Sequence, residues 1–318
     1  MTGSQPTRIQ QLRSLAKQPD EQAAYAVTLL NAKFGQEVVL AALQTLQKHA
    51  FPPARPALFD LYGYYTAHGE TRDPSAFTRS AIIRALRPLA QPADVDFLVQ
   101  ATATYVFTPP RFEEEGAQLR SAALLALNEV DDHLARYHAV RLLANEHTDV
   151  MSGEPAVTAA RLLGAQEEIL PLYFYVMQDG AQVIPEVVSE CLSQLVTLPD
   201  ALIPGVQERF AASKANLILV GLFDLLLNHR TGPHGIEFLR TFLRETQQLD
   251  VYQYLVSTIV ASGRAALVTE LVDAAHFEQR REKVAILYEA FTLLPPNPEM
   301  NKVLEQLQSR LSQKKSKK

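Results

Sequence analysis

Two stretches of this chain, 33 residues apart, carry the same signal: Glu168-Ile169-Leu170-Pro171 and Ala201-Leu202-Ile203-Pro204, each leading into a short apolar helix. A proline in or near a first helical turn costs little, because the N–H it lacks has no partner inside the helix. Arg55-Pro56-Ala57-Leu58-Phe59 reads as an earlier copy. A second helix repeats as well. Arg79-Ser80-Ala81-Ile82-Ile83-Arg84-Ala85-Leu86 aligns with Arg120-Ser121-Ala122-Ala123-Leu124-Leu125-Ala126-Leu127 at a spacing of 41, and further copies follow 36 residues on, at Ala156 to Leu163, and at Val188 to Leu192. One helix pair cannot bury its own apolar face, so a repeated pair must stack on its neighbours.

The rest of the chain obeys the same rule. Asp20 stands as an N-cap ahead of Ala23, Ala24, Val27 and Leu30, and Val38, Ala41, Ala42, Thr45 and Leu46 fall at helical spacing before Pro52-Pro53 ends the run. Asp73-Pro74 reads as a cap followed by proline at the first helical position, opening a helix over 75–90. A further helix is expected over 92–107. No segment alternates with period two between turn signals, so no strand is expected. The tally is about fifteen helices, or about seven pairs.

Hydrophobic residues make up 47% of the 318 and charged residues 20%, enough apolar surface for a continuous core. The net charge of -5 is uneven: residues 279–318 hold nine Lys/Arg against four Asp/Glu, leaving -10 on residues 1–278. An acidic body argues against a surface built to coat nucleic acid. Lys314-Lys315-Ser316-Lys317-Lys318 is expected to be a solvated tail, part of a basic segment 313–318, and residues 1–8 a loose N-terminus. The single cysteine, Cys191, excludes an internal disulfide and fits a reducing, cytoplasmic setting. The densest apolar run, Leu217 to Leu227, is broken by Gly221 and Asp224 and is too short for a membrane span.

The paired helices, early prolines and Ala/Leu-rich second helices resemble the HEAT-repeat and armadillo class of α-solenoids over nearly the whole chain. That resemblance implies an all-α, right-handed α-α superhelix of about seven stacked helix pairs. It would run as one array over 9–312, with 108–116 an insertion loop. The repeat spacing drifts, and the regular turn Asp with its following basic residue is missing, so no function transfers with the likeness.

Chemistry is sparse. His133 and His138, and His229 and His234, lie five apart, whereas two ligands on one helical face want three or four. The His229–Gly235 segment reads as a capping turn, with no metal expected. Cys191 sits among Val187, Val188, Leu192 and Leu195 as a small core residue, with Glu190 rather than a cation beside it. Gly-rich phosphate loops, nucleophile elbows and Cys-x-x-Cys pairs are missing from the sequence, so no cofactor and no catalytic residue is expected. Tyr62-Gly63-Tyr64-Tyr65 and Tyr173-Phe174-Tyr175 are aromatic clusters in which Tyr64 and Tyr175 fall off the apolar stripe. On the second helices Arg84, Arg87 and Arg161 face solvent, but the positions aligned with Arg84 run Leu125, Arg161, Glu190, so no basic ladder forms. The candidate interaction surface is therefore Arg84, Arg87, Arg161, Tyr64 and Tyr175. The expected function is a non-catalytic protein- or peptide-binding scaffold. The alternatives are nucleic-acid binding, including the HEAT-like alkylation-repair glycosylases, and a chaperone or regulatory subunit.

Overall fold

The computed structural model describes residues 5–110, 113–178, 183–296 and 298–313, and its contacts divide the chain into two compact units, 1–166 and 167–318. The sequence pattern is read as one array over 9–312. The basic stretch Lys314 to Lys318 lies outside the described residues.

The first unit contains α1 (Gln5–Ser14), α2 (Pro19–Thr28), α3 (Gln36–Lys48), α4 (Arg55–Ala67), α5 (Gly69–Arg72), α6 (Phe77–Leu86), α7 (Val95–Thr102), α8 (Ala117–Val130), α9 (Asp132–Leu143) and α10 (Ala156–Ala165). The helical start at Gln5 falls within the segment expected to be loose. Helix α3 packs on α6, α6 on α8 and α8 on α10; α4, α7 and α9 flank this row. The 41-residue alignment is thus the likeness of α6 to α8. Leu43, Leu46, Leu58, Ile82 and Ala85 share one core cluster.

Several local expectations differ from the structure: α2 begins at Pro19 with Gln18 as its N-cap, so Asp20 lies in the first turn rather than at the cap. Asp73 does cap α6, its carboxylate accepting from the N–H groups of Thr78 (2.9 Å) and Arg79 (3.0 Å). Pro74, however, precedes a turn in which Ala76 takes φ 52°, and α6 begins only at Phe77. The helix expected over 92–107 is a 3₁₀ turn (Pro92–Asp94) followed by α7, which stops at Thr102. Beyond it, β1 (Phe107–Thr108) pairs antiparallel with β2 (Glu113–Glu114), where the end of that helix and a loop over 108–116 were expected and no strand. Two residues per strand are too few for an alternating pattern to register.

The second unit contains α11 (Ile169–Met177), α12 (Pro185–Gln194), α13 (Ile203–Phe210), α14 (Asn216–Asn228), α15 (Ile236–Glu245), α16 (Leu249–Ser262), α17 (Ala265–Phe277), α18 (Arg281–Phe291) and α19 (Pro298–Gln313). Here α12, α14, α16 and α18 form the row, with α11, α13, α17 and α19 packed against it. Pro56, Pro185 and Pro204 occupy the first two positions of α4, α12 and α13, and Pro171 the third of α11, as the proline signal requires. At Gly221 helices α12 and α14 touch backbone to backbone: a Cβ there would lie 2.4 Å from the Ser189 carbonyl oxygen. Among the described residues no helix is long and apolar enough to cross a membrane.

One device recurs through both units. Basic side chains reach across to the carbonyl groups left open where a helix of a neighbouring pair ends. Arg141 donates to Thr102 O (2.9 Å) at the end of α7, and Arg209 to Gln178 O (2.8 Å) after α11. Arg264 donates to Leu227 O in α14, and Arg280 to Thr246 O (3.0 Å) after α15. Arg310 closes α17 through Ala275 O (2.6 Å) and His276 O (2.9 Å). Arg55 does the same in the opposite chain direction, at Leu89 O (2.9 Å).

Candidate functional site

Of the five candidate surface residues, Arg84, Arg87, Arg161 and Tyr64 belong to the first unit and Tyr175 to the second. Arg84, on α6, donates to Gln118 Oε1 (2.7 Å), and burial lowers its pKa against the raising influence of Glu154. Arg87 pairs with Glu129 at 2.6 Å. Arg161 is exposed on α10, with α8 packed between that helix and α6. Tyr64 is 41% exposed, and the Arg72 guanidinium lies 3.8 Å from its ring centre while donating to its carbonyl. Arginines tied to side-chain acceptors have already spent part of their donor capacity.

Tyr175 has the most structured surroundings. It is half-buried on α11 and lines a cavity of about 430 Å³ in the second unit, with Val176, Val183, Val188, Arg209 and Phe210. Burial pushes its phenol up to about 12, with Cys191 adding to the effect, so it stays a neutral hydrogen-bonding group at physiological pH. Cys191 itself is fully buried, and burial drives its thiol far above the ordinary range, with Glu190 contributing. A thiol so placed is packing material rather than a nucleophile. The strongly exposed aromatic of the Tyr173-Phe174-Tyr175 cluster is Phe174, at 66%. Leu170, one turn earlier on the same face of α11, is 75% exposed. The sequence pattern puts Phe174 on the buried stripe of its cluster; in the structure Phe174 and Leu170 lie instead on the face opposite the buried Leu172 and Val176.

The row of second helices in this unit presents carboxylates. The position aligned with Arg84 is Glu190 on α12, followed by Asp224 on α14 and Tyr254 on α16. The Tyr254 hydroxyl donates to Asp224 Oδ1. Burial raises the Asp224 pKa, the Tyr254 hydrogen bond opposes that rise, and Glu190 adds to it. Gln194 donates to Glu190 at 3.0 Å. This arrangement disfavours a phosphate backbone along the face. A cavity of about 600 Å³ lies in the first unit between residues 66–71 and 104–107, with Arg79 in its wall. Arg79 is buried and already held by Asp73 at 3.0 Å. Among the described residues the group able to hold a metal ion is Asp200, His229 and His234.

No family model matches the chain, and no curated protein or solved structure matches it. The class established is an all-helical protein of paired helices.

Proposed function

We propose that the chain is a non-catalytic interaction module of the HEAT-like helical-repeat kind, which holds a protein or peptide partner on the surface of its second unit. The observation that carries this reading is the apolar strip on α11. Leu170 and Phe174 stand exposed beside Tyr175, whose cavity offers an aliphatic floor, a neutral phenol and Arg209. Exposed aromatics next to a concave apolar site are what binding hot spots are made of. The helix rows and the arginine reaches between neighbouring pairs support the repeat character.

Leu170→Asp and Phe174→Asp change only exposed positions, so both variants should keep the wild-type melting temperature. Capture from lysate of the source cells, quantified by mass spectrometry, should enrich a defined partner with the wild-type protein. Either variant should lose that partner by roughly tenfold or more, the scale of a hot-spot loss. Equal capture by wild type and both variants, or turnover in a broad hydrolase and glycosylase screen without any captured partner, would sink the proposal.

A further inference from the structure

The turn after α14 contains a cluster that the interaction module does not use. His229 is 3% exposed, and its Nε2 lies 2.7 Å from the carbonyl oxygen of Leu198. A carbonyl oxygen only accepts, so Nε2 carries the proton and Nδ1 of the neutral ring presents a lone pair. That lone pair faces the Thr231 hydroxyl at 3.0 Å. The same hydroxyl is 3.2 Å from both carboxylate oxygens of Asp200 and 2.9 Å from His234 Nε2. The Thr231 N–H adds a long contact to His229 Nδ1 at 3.4 Å. Thr231 Oγ1 has one proton, and it faces both a lone-pair nitrogen and a carboxylate.

We infer that Asp200, His229 and His234 form a binding site for a zinc-class divalent transition metal. The bonds would run through His229 Nδ1, His234 Nε2 and one Asp200 oxygen. The three ligand atoms already lie within 4.8 Å of one another, with His229 Nδ1 3.9 Å from Asp200 Oδ1. Tetrahedral zinc bonds of about 2.0–2.1 Å place ligand atoms roughly 3.4 Å apart, so a contraction of about an ångström completes the set. Asp200 is exposed at the start of a 3₁₀ turn and His234 is half-exposed, so these two can supply the movement. The Thr231 hydroxyl turns aside about χ1, and water takes the fourth position. Two imidazoles and a carboxylate suit zinc, cobalt or nickel rather than magnesium, which prefers oxygen ligands.

Two features prepare the site. The Leu198 carbonyl orients the buried imidazole from behind, as hydrogen-bonded outer partners do for metal-ligating histidines. The turn is also held independently of any ion, by Arg230 N–H to Val196 O and His234 N–H to Leu226 O, both 2.8 Å. Gly235, next after His234, adopts φ 64°, a left-handed conformation that glycine enters without strain. A bound ion would tie the connection between α12 and α13 to the turn between α14 and α15. The third ligand stands 29 residues before His229, which is why a local reading of the histidines assigns only a capping turn.

The test uses untagged full-length protein dialysed against chelator and titrated with zinc chloride by calorimetry, with metal content measured after gel filtration. Wild type should bind one zinc per chain, gain several degrees in melting temperature with saturating zinc, and show no response to magnesium. Asp200→Asn and His234→Ala lie at accessible positions and should fold as well as wild type without metal. Each should weaken zinc binding by roughly tenfold or more, and the double variant should abolish it. Absence of saturable binding by wild type, or stoichiometric binding retained by the double variant, would overturn the assignment.

Discussion

Lys283 is fully buried, with its Nζ donating to Leu243 O at 2.7 Å, 3.8 Å from the Glu278 carboxylate and 4.4 Å from the centre of the Tyr252 ring. Burial pushes its pKa down to about 8, the Arg280 charge adds to that, and Glu278 recovers only part of the loss. Between pH 8 and its ordinary value of 10.5 the unfolded chain binds a proton that the folded chain has released. Stability from this residue therefore rises with pH across that window. Urea unfolding of wild type and Lys283→Met at pH 7 and 9.5 should show wild type gaining on the variant by on the order of 2 kcal/mol. A gap that does not change with pH would mean that Lys283 keeps its proton throughout. Little of this is legible beforehand, because a lysine in an amphipathic helix reads as solvated until its neighbours are known. The buried ion pairs left a fainter trace. Asp73 pairs with Arg79, and Glu114 with Arg120, six residues apart in both copies of the aligned helix. The aligned arginines were visible as repetition; the acids upstream of them were not recognised as their partners, since a cross-turn pair has no helical period to announce it.

At the scale of elements, the clearest test lies where α12 and α14 meet. Gly221 has the Ser189 backbone at 2.4–2.9 Å from where its Cβ would be, whereas nothing lies within 4 Å at Gly63 on α4. The same substitution should therefore act with opposite sign at the two glycines. Gly221→Ala forces the helices apart and should destabilise by about 1–3 kcal/mol, while Gly63→Ala should be neutral or stabilise by up to about 1 kcal/mol. Chemical denaturation of both variants checks this, and equal effects would remove the argument for close contact. From sequence, Gly221 read only as an interruption of an apolar run. The helix starts marked by Pro56, Pro171 and Pro204 are legible because a first-turn proline depends on local backbone chemistry alone. The 3₁₀ turns at Arg87–Leu89 and Pro92–Asp94 merge into the longer helices expected over 75–90 and 92–107, since their few residues carry no period of their own. Tyr175 was singled out for leaving the stripe; its cavity depends on Arg209 and Phe210 from α13, which no local pattern connects to α11.

For the whole molecule, composition and repetition indicated an all-helical chain, and the helices follow. The grouping into units 1–166 and 167–318 had no counterpart in the pattern, because pairs on either side of Gln166 are built alike. One core cluster runs from Leu12 to Leu86 and another from Leu219 to Leu307, each inside a single unit. A cavity made in one unit should accordingly be felt there first. Leu255 is fully buried on α16, and Leu255→Ala should cost about 2–5 kcal/mol. Hydrogen exchange read by mass spectrometry should show the increase confined to 167–318. An equal increase over 5–166 would mean that the two units open as one.

The arginine reaches have a direction in time. Arg141, Arg209, Arg264, Arg280 and Arg310 each satisfy carbonyls of residues made 31 to 39 positions earlier. At translation rates of about 5–20 residues per second, Leu227 waits roughly 2–7 s for Arg264 to be added. Arg55, by contrast, reaches forward to Leu89, so its acceptor is the later residue.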